Sequence, residues 1–106
     1  MSKKLPPRKE RRAQARFDAK LAGNRERLAR LERGGAPDRP IEVESASQVE
    51  VHARTLRCPR CDGEPRIEEH AAILDAGVRL RVVHARCSMC DARRDIYFRL
   101  LTALPN

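Results

Sequence analysis

The chain has 106 residues, 36% of them charged and 3% aromatic, with Phe17, Tyr97 and Phe98 the full aromatic complement. So few large apolar side chains exclude a well-packed globule over the whole length, and a core of this size often needs a staple. The net charge of +8 sits at one end: residues 1–35 hold twelve Lys and Arg against four Asp and Glu, whereas residues 36–106 hold eleven of each. A basic extension on a neutral remainder points to a polyanionic partner for the extension.

The start, Met1-Ser2-Lys3-Lys4-Leu5-Pro6-Pro7-Arg8, is basic with no apolar run behind it, so no secretory signal is expected. No stretch approaches the roughly 18 apolar residues of a membrane span, and no membrane partner is expected. The expected compartment is the cytoplasm, where thiols stay reduced.

Residues 8–33 read as a helix, rich in Ala, Leu, Arg, Glu and Lys and free of internal Pro. Pro6 and Pro7 suit its start, and Gly34-Gly35 its stop. Phe17, Leu21, Leu28 and Leu31 form a narrow apolar stripe, interrupted by Asn24 and weakened beside it by Gly23, at up to about 1 kcal/mol relative to Ala. This stripe is too short and broken to specify a coiled coil, but it can meet a protein partner, its own copy or the remainder of the chain. Arg8, Arg12, Arg16 and Lys20 stand at i, i+4, i+8 and i+12, where like charges destabilise an isolated helix by roughly 0.2–0.5 kcal/mol per pair. The first half is therefore expected to fray and to tighten on an anion, while Glu26–Arg30 supports the second half. Arg8, Lys9, Arg11, Arg12, Arg16 and Lys20 are the candidate phosphate contacts, and the partner they imply is DNA, RNA or a ribonucleoprotein surface.

Residues 36–55 read as a linker, since 34–48 hold two Gly, two Pro and three Ser or Gln. Within it 41–44 alternate briefly, and 49–55 (Val-Glu-Val-His-Ala-Arg-Thr) alternate more clearly and are expected to add a strand. Residues 56–106 form the stapled domain. Its strands are expected at 66–74, 78–86 and 94–101, with a turn at Asp75-Ala76-Gly77 and with Ile96, Phe98 and Leu100 on one face.

Cys58-Pro59-Arg60-Cys61 and Cys87-Ser88-Met89-Cys90 are both C-x-x-C pairs. Two residues between cysteines let a tight turn aim both sulfurs at one ion, with backbone N–H groups offsetting the thiolate charge. Two such turns give the tetrahedral four-sulfur shell that suits one structural zinc ion. The midpoint between the pairs is residue 74, beside the expected turn, so a hairpin folding there brings both pairs together at its base. Asp62 and Asp91 stand where a glycine often follows such a pair, and Asp tolerates left-handed backbone better than most residues.

Over about residues 56–102 the sequence resembles the zinc-ribbon superfamily, on Cys58-Pro-Arg-Cys61, the central hairpin, Cys87-Ser-Met-Cys90 and the strand that follows. The layout is similar to the C-terminal ribbons of transcript-cleavage factors and small RNA polymerase subunits. That resemblance implies a three-stranded antiparallel ribbon with a binding role in nucleic-acid machinery, which here follows the basic N-terminal helix read from residues 8–33. Cleavage factors carry an acidic Asp-Glu dipeptide at the hairpin tip; here the tip reads Ile73-Leu74-Asp75-Ala76-Gly77, which departs from the residues that activity uses.

Several alternatives share these residues. Two C-x-x-C pairs can also ligate iron for electron transfer, although the second pair lacks the Pro of rubredoxin-like sites. A catalytic dithiol needs a βαβ setting that the pattern lacks. His52, His70 and His84 are scattered and read as surface residues rather than as a second metal site or a general base. Four cysteine ligands leave zinc no open position for water, so the expected role is binding or scaffolding rather than catalysis. Arg60, Arg79, Arg81, Arg93, Arg94 and Arg99 are matched by Glu64, Glu68, Glu69, Asp75, Asp91 and Asp95, which reads as a mixed-charge solvated surface. Only Tyr97 and Phe98 are available for base stacking in this domain, so single-strand recognition by stacking is not expected.

Overall fold

A computed structural model describes residues 7–101. In chain order they form α1 (Arg8–Leu31), β1 (Ile41–Val43), α2 (Ala46–Arg54), β2 (Pro65–Asp75), β3 (Val78–Cys87) and β4 (Arg93–Leu100). The four strands make one sheet in the order β1-β4-β3-β2. The pairs β2–β3 and β3–β4 are antiparallel, whereas β1 runs parallel to β4. The sheet is therefore four-stranded and mixed, not the three-stranded antiparallel ribbon expected from the sequence. The additional strand arises because Ile41 and Val43 lie opposite Phe98 and Leu100, where they extend the apolar face of β4.

The core lies between one face of this sheet and α2. Val83 and Ala85 of β3 and Ile96 and Phe98 of β4 meet Val43, Val49 and Ala53, all at most 6% exposed. Residues 49–55 thus supply a helix and not the expected strand. Val49 and Ala53 stand one helical turn apart and both are fully buried, and Leu56 continues the same face. Val51, which a strand with this alternation would bury beside them, is 63% exposed. A start signal lay just upstream in Ser45-Ala46-Ser47-Gln48: Ser45 occupies the cap position with extended backbone, and the Gln48 side chain accepts the Glu44 N–H at 2.8 Å. The alternation in 49–55 was a short coincidence that the four-residue period overrode.

The β2–β3 hairpin folds where the sequence places it. Ala76 and Gly77 form its two-residue turn at φ +48° and +81°, between the paired residues Asp75 and Val78. Both signs suit the primed turn that matches strand twist, but Ala meets a steric cost there that Asn partly escapes. Ala76→Asn should raise stability by about 0.5–1 kcal/mol, read as a higher urea midpoint with unchanged slope. Nearer the cysteines, the β2 register slips between Ile67 and Glu69, leaving Glu68 as a bulge.

Helix α1 leaves this body. It has no buried residue, although Ala22, Gly23, Glu26 and Ala29 are half-buried on the side that leans toward the first cysteine pair. Twenty-four residues span about 36 Å, which gives the molecule its extents of 66 × 27 × 16 Å. The junction is tight. Gly34 adopts φ +87°, its carbonyl accepts the Tyr97 N–H at 2.8 Å, and a Cβ there would lie 2.6 Å from Ile41. Arg39 reaches back and donates to the Arg30 carbonyl at 3.0 Å, closing the open C-terminal end of the helix.

Candidate metal centre

The two cysteine pairs occupy different chain contexts. Cys58 and Cys61 lie in the loop between α2 and β2, while Cys87 ends β3 and Cys90 lies in the turn before β4. The backbone treats them alike. The Cys58 N–H donates to the Gly63 carbonyl at 2.9 Å, and the Cys87 N–H to the Ala92 carbonyl at 2.9 Å. The Asp62 N–H returns to the Cys58 carbonyl at 2.8 Å, and the Asp91 N–H to the Cys87 carbonyl at 3.1 Å. Each turn closes through a left-handed residue, Asp62 at φ +64° and Asp91 at φ +66°, as their positions after the cysteines suggested.

Three contacts lock the turns together. The Ser88 N–H and hydroxyl both donate to the Glu64 carbonyl, each at 2.9 Å. Arg94 of β4 donates to the Arg57 carbonyl at 3.1 Å. Gly63 is buried at the point of closest approach, where a Cβ would sit 2.7 Å from both the Cys87 sulfur and Met89 Cγ. Its role is to be small. Outside the pair of turns, Glu26 of α1 forms an ion pair with Arg60, tying the helix to the first turn.

These constraints bring the four sulfurs within 4.8 Å of one another. Cys58 and Cys90 sulfurs are 3.6 Å apart, and those of Cys61 and Cys87 are 3.3 Å apart. A tetrahedron with metal–sulfur bonds of about 2.3 Å has edges of about 3.8 Å, so the donor set fits one metal ion. Cys58 and Cys87 are buried while Cys61 and Cys90 face solvent, so the centre lies at the edge of the domain. The Cys90 and Met89 N–H groups point at the Cys87 sulfur at 3.4 and 3.3 Å. They lower the Cys87 thiol to about 6, chiefly through the Cys90 N–H, against the opposing effect of burial. Cys61 is pushed up to about 12, mainly by its hydrogen bond with Cys87. Burial raises Cys58. Without a cation the cluster thus holds its first negative charge on Cys87 and resists the next; a divalent ion removes that resistance.

The other expected site residues are dispersed. Arg8, Lys9, Arg11, Arg12, Arg16 and Lys20 are all exposed on the outer half of α1, and none forms an ion pair among the described residues. Phe17, Leu28 and Leu31 are at least 60% exposed and Leu21 39%, so the apolar stripe does not fold back on the body. On the sheet, Arg99 pairs with Glu42 at 2.6 Å and Arg86 with Glu68 and Asp91 at 3.3 Å, whereas Arg66, Arg79, Arg81 and Arg93 form no ion pair among the described residues. His52 is exposed, and its ring centroid lies 5.8 Å from that of Phe98 with the ring planes at 76°. His84 pairs with Asp95 at 2.6 Å, and His70 lies 3.7 Å from Glu50, so neither joins the cysteines. No helix among the described residues is long and apolar enough to cross a membrane.

Four cysteines clustered at metal-binding distance on a small β-sheet domain are compatible with a zinc ribbon. No family model, curated protein or solved structure matches the chain.

Proposed function

We propose that this chain is a non-catalytic binding module: Cys58, Cys61, Cys87 and Cys90 hold one structural zinc ion, and α1 carries a cationic surface to nucleic acid or to a nucleic-acid machine. The observation that carries the second half is the projection of α1. Arg8, Lys9, Arg11, Arg12, Arg16 and Lys20 stand clear of the body with no acidic partner among the described residues, while the body balances its own charges. Free cations on a protruding helix release counterions when they meet phosphates. Zinc is favoured by four thiolates in a tetrahedral cluster, with neighbouring N–H groups that stabilise the anionic form. With every coordination position taken by sulfur, the ion supplies rigidity rather than a bound water.

Metal analysis of the purified chain is expected to find one zinc per chain. Iron, with the visible absorbance of a tetrathiolate site, would replace the zinc reading. Binding to mixed-sequence DNA and RNA should weaken steeply with salt, with a log–log slope near −5 if all six cations meet phosphates (about 0.9 per contact). Arg12→Glu with Arg16→Glu should flatten that slope by about two contacts, and helical circular dichroism should rise when polyanion is added. Salt-insensitive binding, or no binding at low salt, would sink the nucleic-acid reading and leave the metal centre untouched.

A further inference from the structure

Four sides of α1 can be distinguished at about 100° per residue. The side carrying Ala22, Glu26 and Ala29 leans on the first cysteine turn. About 135° around the helix runs a seam of Gln14, Phe17, Leu21, Asn24, Leu28 and Leu31, spaced three and four residues apart in turn. Its large apolar members are the exposed ones, Phe17 at 61%, Leu28 at 60% and Leu31 at 65%. One flank of this seam alternates in sign: Arg11, Asp18, Arg25, Glu32. The other is uniformly positive, with Lys20 and Arg27 nearest the seam.

We propose that α1 pairs with α1 of a second copy of this chain, antiparallel, with the register centred between Leu21 and Asn24. In that register Phe17 packs on Leu28 of the second copy, Leu21 on its Asn24, and Gln14 on its Leu31. The alternating flanks then meet each other. Asp18 faces Arg25 of the second copy, and Arg11 faces its Glu32, so each kind of opposite-charge pair forms twice. Lys20 and Arg27 are the only like charges brought together. A parallel pairing would set Arg27 against Glu32 of the second copy but Lys20 against its Arg25, and would leave Asp18 opposite Ala13; one attractive kind of pair against the antiparallel form's two favours the antiparallel form. Antiparallel packing also opposes the helix dipoles and keeps the two cysteine domains at opposite ends of the pair. Asn24 fits this picture as a polar seam residue that weakens the pair but fixes its register.

The body meets α1 on the side of Ala22, Glu26 and Ala29. Beside Leu28 the helix and the first cysteine turn line an open groove of about 660 Å³, with Arg25, Leu28, Glu32, Leu56, Arg57 and Pro59 among its walls. Phe17 and Arg11 of the second copy fall at the mouth of this groove in the proposed register. Self-association stands whether or not α1 also meets nucleic acid: Arg11 and Lys20 flank the seam, but Arg8, Lys9, Arg12 and Arg16 lie on other sides of the helix and stay free for phosphate in the pair.

Sedimentation of the full chain over a concentration series, with zinc in the buffer, tests the pairing. A reversible monomer–dimer equilibrium is expected. Leu21→Asp with Leu28→Asp should abolish the dimer, with an unchanged zinc content showing that the body still folds. Arg25→Asp should weaken the dimer by about tenfold, and adding Asp18→Arg to it should restore the original affinity. Asn24→Leu should tighten it. A chain that stays monomeric throughout, or a dimer indifferent to the two leucine changes, overturns the proposal. A dimer tightened by Arg25→Asp overturns the antiparallel register, since in a parallel pair that residue would face Lys20.

Discussion

Removing the metal should melt the cysteine end of the domain and lower the thermal midpoint by more than about 20 °C. Structural zinc contributes roughly 10–16 kcal/mol of apparent binding free energy in small modules, which rivals the whole stability of a domain this size, about 5–15 kcal/mol. In a small domain each kcal/mol shifts the midpoint by roughly 4–8 °C. The buried cluster of Val43, Val49, Ala53, Val83, Ala85, Ile96 and Phe98 does not include the cysteine turns, so little apolar packing holds those turns once the ion leaves. What remains is the contact of Gly63 with Cys87 and Met89, the Glu26–Arg60 ion pair, and the Ser88–Glu64 and Arg94–Arg57 hydrogen bonds, the last each contributing about 1 kcal/mol. Thermal melts with and without a strong chelator check this, and superimposable curves would refute a structural role for the ion. Cys87→Ser should be the costliest single ligand change, because Cys87 is buried, accepts two backbone N–H groups and packs against Gly63.

The second large effect is expected at Phe98. It is the biggest fully buried side chain, at the centre of the seam between sheet and α2. Phe98→Ala should cost about 3–5 kcal/mol, from lost transfer energy and from the cavity left behind. Ile96→Val, one methyl in the same layer, should cost about 0.5–1.5 kcal/mol. Urea titrations of the zinc-loaded protein measure both, with the slope unchanged if the transition remains two-state. Equal effects at the two positions would mean that the sheet–α2 interface is not the principal core.

The pattern of legibility in the sequence follows from range. The cysteine turns rest on local chemistry: two residues between ligands, and an Asp able to adopt positive φ. Both could be read without tertiary information, and so could the hairpin turn, where Asp75-Ala76-Gly77 lies midway between the pairs. The long helix was equally plain from composition, with its end at Leu31 near the two glycines. β1 and α2 were harder because each is decided by what it packs against. Ile41–Val43 is too short to stand alone and exists as a strand by lying along β4. Val49, Val51 and Ala53 satisfy a two-residue period and Val49, Ala53 and Leu56 a helical one; beyond the start signal at Ser45–Gln48, it is burial against Phe98 and Ile96 that separates them. The close approach of Gly63 to the Cys87 sulfur and the bridge from Glu26 to Arg60 link residues far apart in the chain, and no local pattern announces either.

The two edges of the sheet are guarded in different ways. At one edge β1 offers three residues, too little backbone for another chain to pair with. At the other, β2 is eleven residues long and carries exposed Leu74 next to its end, the kind of edge on which cross-chain strand addition and aggregation begin. The Glu68 bulge breaks its ladder, and Arg66, Glu68 and Glu69 set charges along the stretch nearest the cysteine turns. Glu68 is a gatekeeper in this sense: deleting it would restore an unbroken ladder, and the expected consequence is a protein that still holds its metal but precipitates on concentration.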